Sequence, residues 1–518
     1  MPRGNVLHIT VDQWRGDCLS AAGHPLVRTP TLDALAARGV RFAKHWANVA
    51  PCGPSRATLH TGMYAMNHRS VLNGTPLDTR FTNVALEARR AGYRPALFGY
   101  TDTTVDPRAV EADDPRLRSY EGVLPGFDVV LNDPSEGAGP LEWARWLAGK
   151  GVDVPSEPRD LYLPDLGHPG AGTHSEWWAP TRFGPEHTET AFVVERLVEW
   201  LERRDDEPWF VHASFIRPHP PYRNPVGYHD LYSADDVPGF RGHRSRAEEA
   251  ASHPLAAVAT SLPGVAAPAE EADRRQLRAT YYGMMAEVDD QLGRLFAWLD
   301  QAGLTDDTLV LLTSDHGDQN GDHWLVEKLG YWDESYHVPL IVCDPRAEAD
   351  ATRGSVVAAP TEHVDVLPTL CTWMGVEPPL QCDGRSLQPF LHDTPPPTGP
   401  EGWRDTVHWE WDFRNPWLHL AEGLLGIPME QCCLAVSRGA GWKYVQFAAD
   451  PEVLPPLLFA LDDDPDQVED RVGDPGSSAV VADRLAEMMR WRLRHADRTL
   501  TGHMVTPEGL AVHRDPHR

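Results

Sequence analysis

A largely apolar run that ends in a carboxylate occurs twice in this chain, and no other feature restricts its folding as much. Asn5-Val-Leu-His-Ile-Thr-Val-Asp12 is one; Thr308-Leu-Val-Leu-Leu-Thr-Ser314, leading into Asp315-His316-Gly317, is the other. Each has the length and character of a strand buried on both faces, which is the habit of parallel sheets. Residues 94–100, 209–215 and 338–343 read as further strands. Helical periodicity covers residues 31–39, 365–374 and, at greatest length, 273–301, where Leu277, Tyr281, Met284, Val288, Leu292, Leu295 and Leu299 fall on one face. Strands alternating with helices predict an α/β fold with a doubly wound mixed sheet, whose ligands gather at the carboxyl ends of the strands. Asp12 and Asp315 stand at two such ends.

The 518 residues allow a large core and more than one domain. A Pro-rich crossing near 391–402 divides a catalytic region, 1–395, from a smaller C-terminal α+β region, 396–518, whose strands and final helix (about 478–495) have a different pattern. Within the first region, 244–272 reads as a mobile insertion. A net charge of −29 argues against nucleic acid or an anionic membrane as partner. An anionic substrate must then be drawn in by local positive groups, because charges more than about 8 Å apart in solvent are largely screened. Seven scattered cysteines give no disulfide framework and no metal-ligand spacing. With no leader-like or membrane-spanning run in view, the expectation is a cytoplasmic protein.

The chemistry concentrates at Cys52-Gly-Pro-Ser-Arg56 followed by Thr61-Gly62. Read plainly, this is a helix N-terminus in which Cys52 is a small buried hydrophobe. Placed beside strand-end carboxylates, it suggests more. Asp12, Asp315 and His316 could offer oxygen and imidazole ligands to a divalent cation, with the side chain at position 52 as a fourth. Arg56, at i+4 from Cys52, shares its helical face. His219 lies in Arg217-Pro-His-Pro-Pro221, just after a strand, and Lys328 lies twelve residues past His316. Alone, these three would be read as a surface arginine, a solvated loop histidine and a surface lysine.

Cys-x-Pro-Ser-Arg with Thr-Gly five positions beyond the arginine resembles the sulfatase signature, in which a dedicated enzyme oxidises the cysteine to formylglycine. The likeness extends along nearly the whole chain through Val11-Asp-Gln-Trp-Arg15, Met66-Asn-His-Arg69, Gly99-Tyr-Thr101, Arg217-Pro-His-Pro-Pro221, Ser314-Asp-His-Gly317 and His495-Ala-Asp-Arg-Thr-Leu500. Together these resemble the bacterial phosphonate monoester hydrolases, a branch of the sulfatase group within the alkaline phosphatase superfamily. The resemblance implies an alkaline-phosphatase-like fold and one divalent ion held by Asp12, Gln13, modified Cys52, Asp315 and His316. Mn²⁺ or Ca²⁺ is expected there before Mg²⁺ or Zn²⁺. It further implies a substrate site lined by Arg56, Asn73, Tyr100, His219 and Lys328. Transient contact with a formylglycine-generating enzyme and a homotetramer with C-terminal contacts complete the expectation.

Two positions depart from the wider pattern. Most sulfatases carry a second aspartate where this chain has Gln13, so one negative charge is missing beside the metal. Two residues after Tyr100 a member of the family it resembles has a threonine; Asp102 here would repel a dianion unless it is protonated, turned away or paired with a cation. The implied activity is hydrolysis of phosphonate monoesters and phosphate diesters, with promiscuous turnover of phosphate monoesters and sulfate esters. An arylsulfatase or choline-sulfatase-like enzyme is the rival within the same chemistry. An unmodified anion- or metal-binding protein on the same scaffold is the rival outside it.

Overall fold

The computed structural model describes residues 4–119, 121–132, 141–204, 207–399, 402–415, 419–498 and 500–513. Its centre is an eight-stranded mixed sheet. The strand Asn5–Val11 lies between two parallel neighbours, Thr308–Ser314 on one side and Phe210–Phe215 on the other. Pro95–Phe98 follows Phe210–Phe215, also parallel, while Leu340–Cys343 runs antiparallel beyond Thr308–Ser314. Every residue of Asn5–Val11 and Thr308–Ser314 is buried, as their composition requires. One face of the sheet packs against the long helix Glu271–Gln301 and the helix Glu189–Glu202. The other packs against Cys52–Thr61, Val84–Arg90 and Val366–Met374. This is the doubly wound α/β arrangement, with helices on both faces of a mostly parallel sheet.

A five-stranded sheet forms a second layer. Val407–Asp412, Cys433–Arg438, Trp442–Phe447 and Leu457–Ala460 pair antiparallel in sequence order. Its fifth strand comes from far away in the chain: Val49–Ala50, immediately before the signature, pairs parallel with Val407–Asp412. Asn48 reinforces the join, its side chain donating to the carbonyl of His408 at 2.7 Å. The C-terminal sheet therefore anchors the segment that leads into the Cys52 helix. Residues 244–272, read above as a mobile insertion, form the helices Arg246–Ser252 and Pro254–Ser261. Leu255, Ala256 and Ala259 are buried in the same apolar cluster as Phe447 and Leu457. No helix among the described residues is long and apolar enough to cross a membrane.

Sheet register creates one feature that apolar periodicity does not announce. His8 pairs with His212 across neighbouring strands, and His60 reaches both from the signature helix, with ring centroids 4.6–5.8 Å apart. All three are fully buried, and five of their six ring nitrogens have no hydrogen-bond partner. Burial, followed by the charge of Arg56, pulls His8 down to about 3; burial and the neighbouring rings put His60 and His212 well below their ordinary value. The unfolded chain takes up these protons around its ordinary value of 6.5, while the folded chain does not. Their contribution to stability is therefore fully present above that pH and is lost as pH falls toward about 3. His60→Leu should flatten the dependence of unfolding free energy on pH through this window by up to about 1.4 kcal/mol per pH unit, one proton's worth. An unchanged slope in urea titrations would contradict neutral burial of His60.

Candidate active site

Four adjacent parallel strands deliver the predicted residues to one edge of the sheet. Thr308–Ser314 ends at Asp315 and His316, Asn5–Val11 at Asp12 and Gln13, Phe210–Phe215 leads to His219, and Pro95–Phe98 leads to Tyr100. The pairing of Val11 with Ser314 puts Asp12 and Asp315 side by side. The helix Cys52–Thr61 points its first residue at them. Its Ser55 hydroxyl donates to the Asp315 carbonyl at 2.5 Å, and the Gly53 amide donates to Asn73 Oδ1 at 2.8 Å. A Cβ at Gly53 would lie 3.0 Å from the carbonyl oxygen of Asp102, a close approach that a larger residue could keep only by a small shift of that loop.

Asp12, Cys52, Asp315 and His316 are all buried, and one ligand atom from each lies within 4.8 Å of the others. Cys52 Sγ is 3.1 Å from His316 Nε2. His316 Nδ1 lies 2.9 Å from the Gly317 carbonyl, which assigns it the proton and leaves the Nε2 lone pair facing Cys52, Asp12 and Asp315. Two carboxylates, an imidazole lone pair and a fourth short side chain form a donor set that fits a divalent cation. Burial, then the field of Asp12, pushes the Asp315 carboxyl up. Burial would raise Asp12 too, but His219, Arg56, His316 and Lys328 hold it well below the usual carboxylate range. His316 is lowered to about 3, chiefly by burial and then by Lys328.

Arg56 sits differently from its expected place in the substrate site. It is fully buried behind the carboxylates, donating to Asp315 Oδ2 at 2.9 Å and to Asp12 Oδ2 at 3.0 Å. Ser214 Oγ at 2.7 Å and the Tyr100 carbonyl take the remaining donors, and the guanidinium stacks 4.2 Å from the Tyr100 ring centroid. Tyr100 in turn donates to Asp12 Oδ2 at 2.5 Å. Two neighbouring carboxylates need a fixed cation, and the i+4 position places Arg56 where it can serve both.

On the open side, Lys328 Nζ lies 2.8 Å from Gln13 Oε1, 3.0 Å from His219 Nε2 and 3.0 Å from Glu327 Oε2. Carboxylates and the site raise the Lys328 pKa despite burial; His219 is lowered by burial and by Lys328. The ammonium therefore carries the proton and His219 accepts. Gln13 is fixed by Lys328 and by Asp318, to whose Oδ2 it donates at 2.6 Å. Asp318 and Glu327 in this network, and Ser214 beside Arg56, are site residues that the sequence reading did not single out. Asp318, three residues past Asp315, was the one with a readable signal.

Asp102 is buried, has φ 51°, and its Oδ1 has no partner. Burial, the largest influence, pushes its pKa well above the ordinary carboxylate value despite Arg56. Of the alternatives raised by the sequence, the protonated acid is the one this environment favours. Asp102→Asn replaces a neutral acid with a neutral amide and should leave turnover within about threefold at neutral pH. A tenfold gain on phosphate monoesters, measured against diesters, would show that a charge had been there.

The sulfatase family matches residues 4–376, and the C-terminal region of N-sulphoglucosamine sulphohydrolase matches 321–494. The chain belongs to the sulfatase family. It is 40% identical to the multifunctional alkaline phosphatase superfamily protein PehA of Trinickia caryophylli, covering 99% of each chain. The phosphonate monoester hydrolase of Agrobacterium radiobacter superposes with a TM-score of 0.91 at 42% identity, covering 99% of this chain and 100% of that one. That of Silicibacter pomeroyi gives 0.90 at 36% identity, with 99% of each chain covered.

Proposed function

We propose that this protein hydrolyses phosphonate monoesters and phosphate diesters, and more slowly phosphate monoesters and sulfate esters, with a formylglycine made from Cys52. The observation that carries this reading is Cys52 Sγ 3.1 Å from His316 Nε2 among buried carboxylates. Burial and Asp12 push the thiol well above its ordinary pKa, so an unmodified Cys52 would be a poor nucleophile there. An aldehyde at this position hydrates to a geminal diol, whose oxygens need no thiolate. One diol oxygen attacks phosphorus in line and the alcohol leaves, with its proton supplied from Lys328, directly or relayed through His219. The second hydroxyl then returns a proton to the Lys328–His219 pair, the bond between the formylglycine carbon and the phosphorus-bearing oxygen breaks, phosphonate departs and the aldehyde returns. A divalent cation held by Asp12, Gln13, the side chain at 52, Asp315 and His316, Mn²⁺ or Ca²⁺ first, would supply positive charge that lowers the pKa of a bound oxygen.

The substrate class rests on relatives 36–42% identical over 99% of this chain, whose names are phosphonate monoester hydrolase or multifunctional phosphatase-superfamily protein. Gln13, neutral and tied to Lys328, agrees with a site tolerant of several ester types. The terminal hairpin exposes Met504, Val505 and Leu510, which supports its use as a contact between copies in a homotetramer. Mass spectrometry of the Cys52 peptide, alongside assays with aryl phosphonate, diester, monoester and sulfate substrates, tests the proposal. Turnover by protein whose Cys52 is wholly unmodified thiol would overturn it. So would a clear preference for sulfate esters, in favour of the arylsulfatase reading.

A further inference from the structure

A cavity of about 520 Å³ lies away from the active site, between the C-terminal helix Ser478–Arg494 and the Gly439-Ala-Gly441 turn of the small sheet. The polar groups around it are unevenly matched. Its buried carboxylate, Asp383, and its half-buried one, Glu487, are already satisfied. Asp383 accepts from the Tyr64 amide and the Asn67 side chain at 2.9 and 2.8 Å, with His495 at 3.3 Å. Glu487 accepts from Ser437 at 2.5 Å and lies 2.9 Å from His408 Nε2; despite burial, His408, Ser437 and Arg484 pull it down to about 2.

The unmatched groups are donors. Arg490 and Arg494 are exposed to solvent at the cavity's rim, and among the described residues their guanidiniums have no ion pair or hydrogen bond. Arg484 meets Glu487 only through its field, and its Nη1 reaches the Gly439 turn, 3.5 Å from the position a Cβ would take. Trp491 is 5% exposed and its indole N–H has no acceptor. One exposed carboxylate, Asp405, stands against these three arginines. In a chain with net charge −29, such a local excess of donors calls for a ligand rich in acceptors.

We propose that this cavity is a second anion site, taking a small multiply charged molecule that carries phosphate or carboxylate groups. Guanidinium forks at 484, 490 and 494 would grip its oxygens, and Trp442 would form an apolar wall.

Calorimetric titration of the full-length protein with inorganic pyrophosphate, and separately with citrate, tests this and separates the two ligand chemistries. Wild type should bind at least one of them beyond any active-site occupancy, with affinity falling as salt rises. Arg484→Ala/Arg494→Ala should weaken that binding by tenfold or more while ester turnover stays unchanged. Arg490→Ala, at an exposed position, serves as an independent variant, with circular dichroism recording the fold of each. Identical isotherms for wild type and all variants would overturn the proposal. So would the absence of binding of either anion at low salt, as expected if another copy of the chain covers the cavity.

Discussion

Cys52→Ala should lower ester turnover by roughly 10⁴-fold or more while the protein keeps its fold and its capacity to bind a divalent ion, as read by isothermal titration with Mn²⁺. The size follows from what the side chain at 52 does in the proposed cycle: it forms the bond to phosphorus and then expels the product itself. Nothing else on the strand edge substitutes for it. His219 and Lys328 are placed to manage protons, and Arg56 is consumed by Asp12 and Asp315. The fold should survive because alanine suits the first turn of the helix, and Ser55 and Asn73 still tie that turn to the strand ends. Cys52→Ser separates the two halves of the cycle. A serine oxygen can be phosphorylated but carries no second hydroxyl to break the ester from within, so a burst followed by a stall is expected in stopped-flow assays. Steady-state turnover by Cys52→Ser at the wild-type rate would refute the release step.

Arg56→Ala is expected to be the most destabilising single change, costing about 3–5 kcal/mol in metal-free protein. The guanidinium is wholly buried and bonded to two carboxylates, two hydroxyls and a carbonyl. Its removal leaves Asp12 and Asp315 side by side in a low-dielectric interior with no fixed counter-charge. Saturating divalent ion should recover part of the loss, because a cation between the carboxylates replaces some of the missing charge. Arg56→Lys keeps the charge but not the fork and should fall between wild type and alanine. Chemical denaturation with and without metal provides the comparison. Equal stability of wild type and Arg56→Ala without metal would mean that one carboxyl is neutral and the ion pair contributes little.

Much of the fold was legible along the chain. Thr308–Ser314 is a strand at the predicted bounds, and 273–301 predicts a helix that runs Glu271–Gln301. The α+β character expected of 396–518 is met by the antiparallel strands Cys433–Arg438 and Trp442–Phe447 and the helix Ser478–Arg494. These elements bury apolar faces whose period is written locally, so their type does not depend on what they pack against. The meeting of Asp12 and Asp315 beside His316 was legible for a related reason: carboxylates that follow buried strands emerge at one sheet edge, and parallel register aligns them.

Other features depended on partners distant in sequence. Val49–Ala50 is too short to be recognised as a strand, and only the C-terminal sheet makes it one. Arg56 shares a helical face with Cys52, but whether it meets substrate or carboxylates is decided by the packing of the helix onto two strand ends. The charge state of Asp102 is set by burial, which no window of residues reveals. Residue order thus determined the strands, the helices and the identity of the reactive position. Three-dimensional packing decided which charges face one another and which are withheld from water, because solvation and Coulomb energies depend on distance in space, and neighbours in space are unrelated to neighbours along the chain.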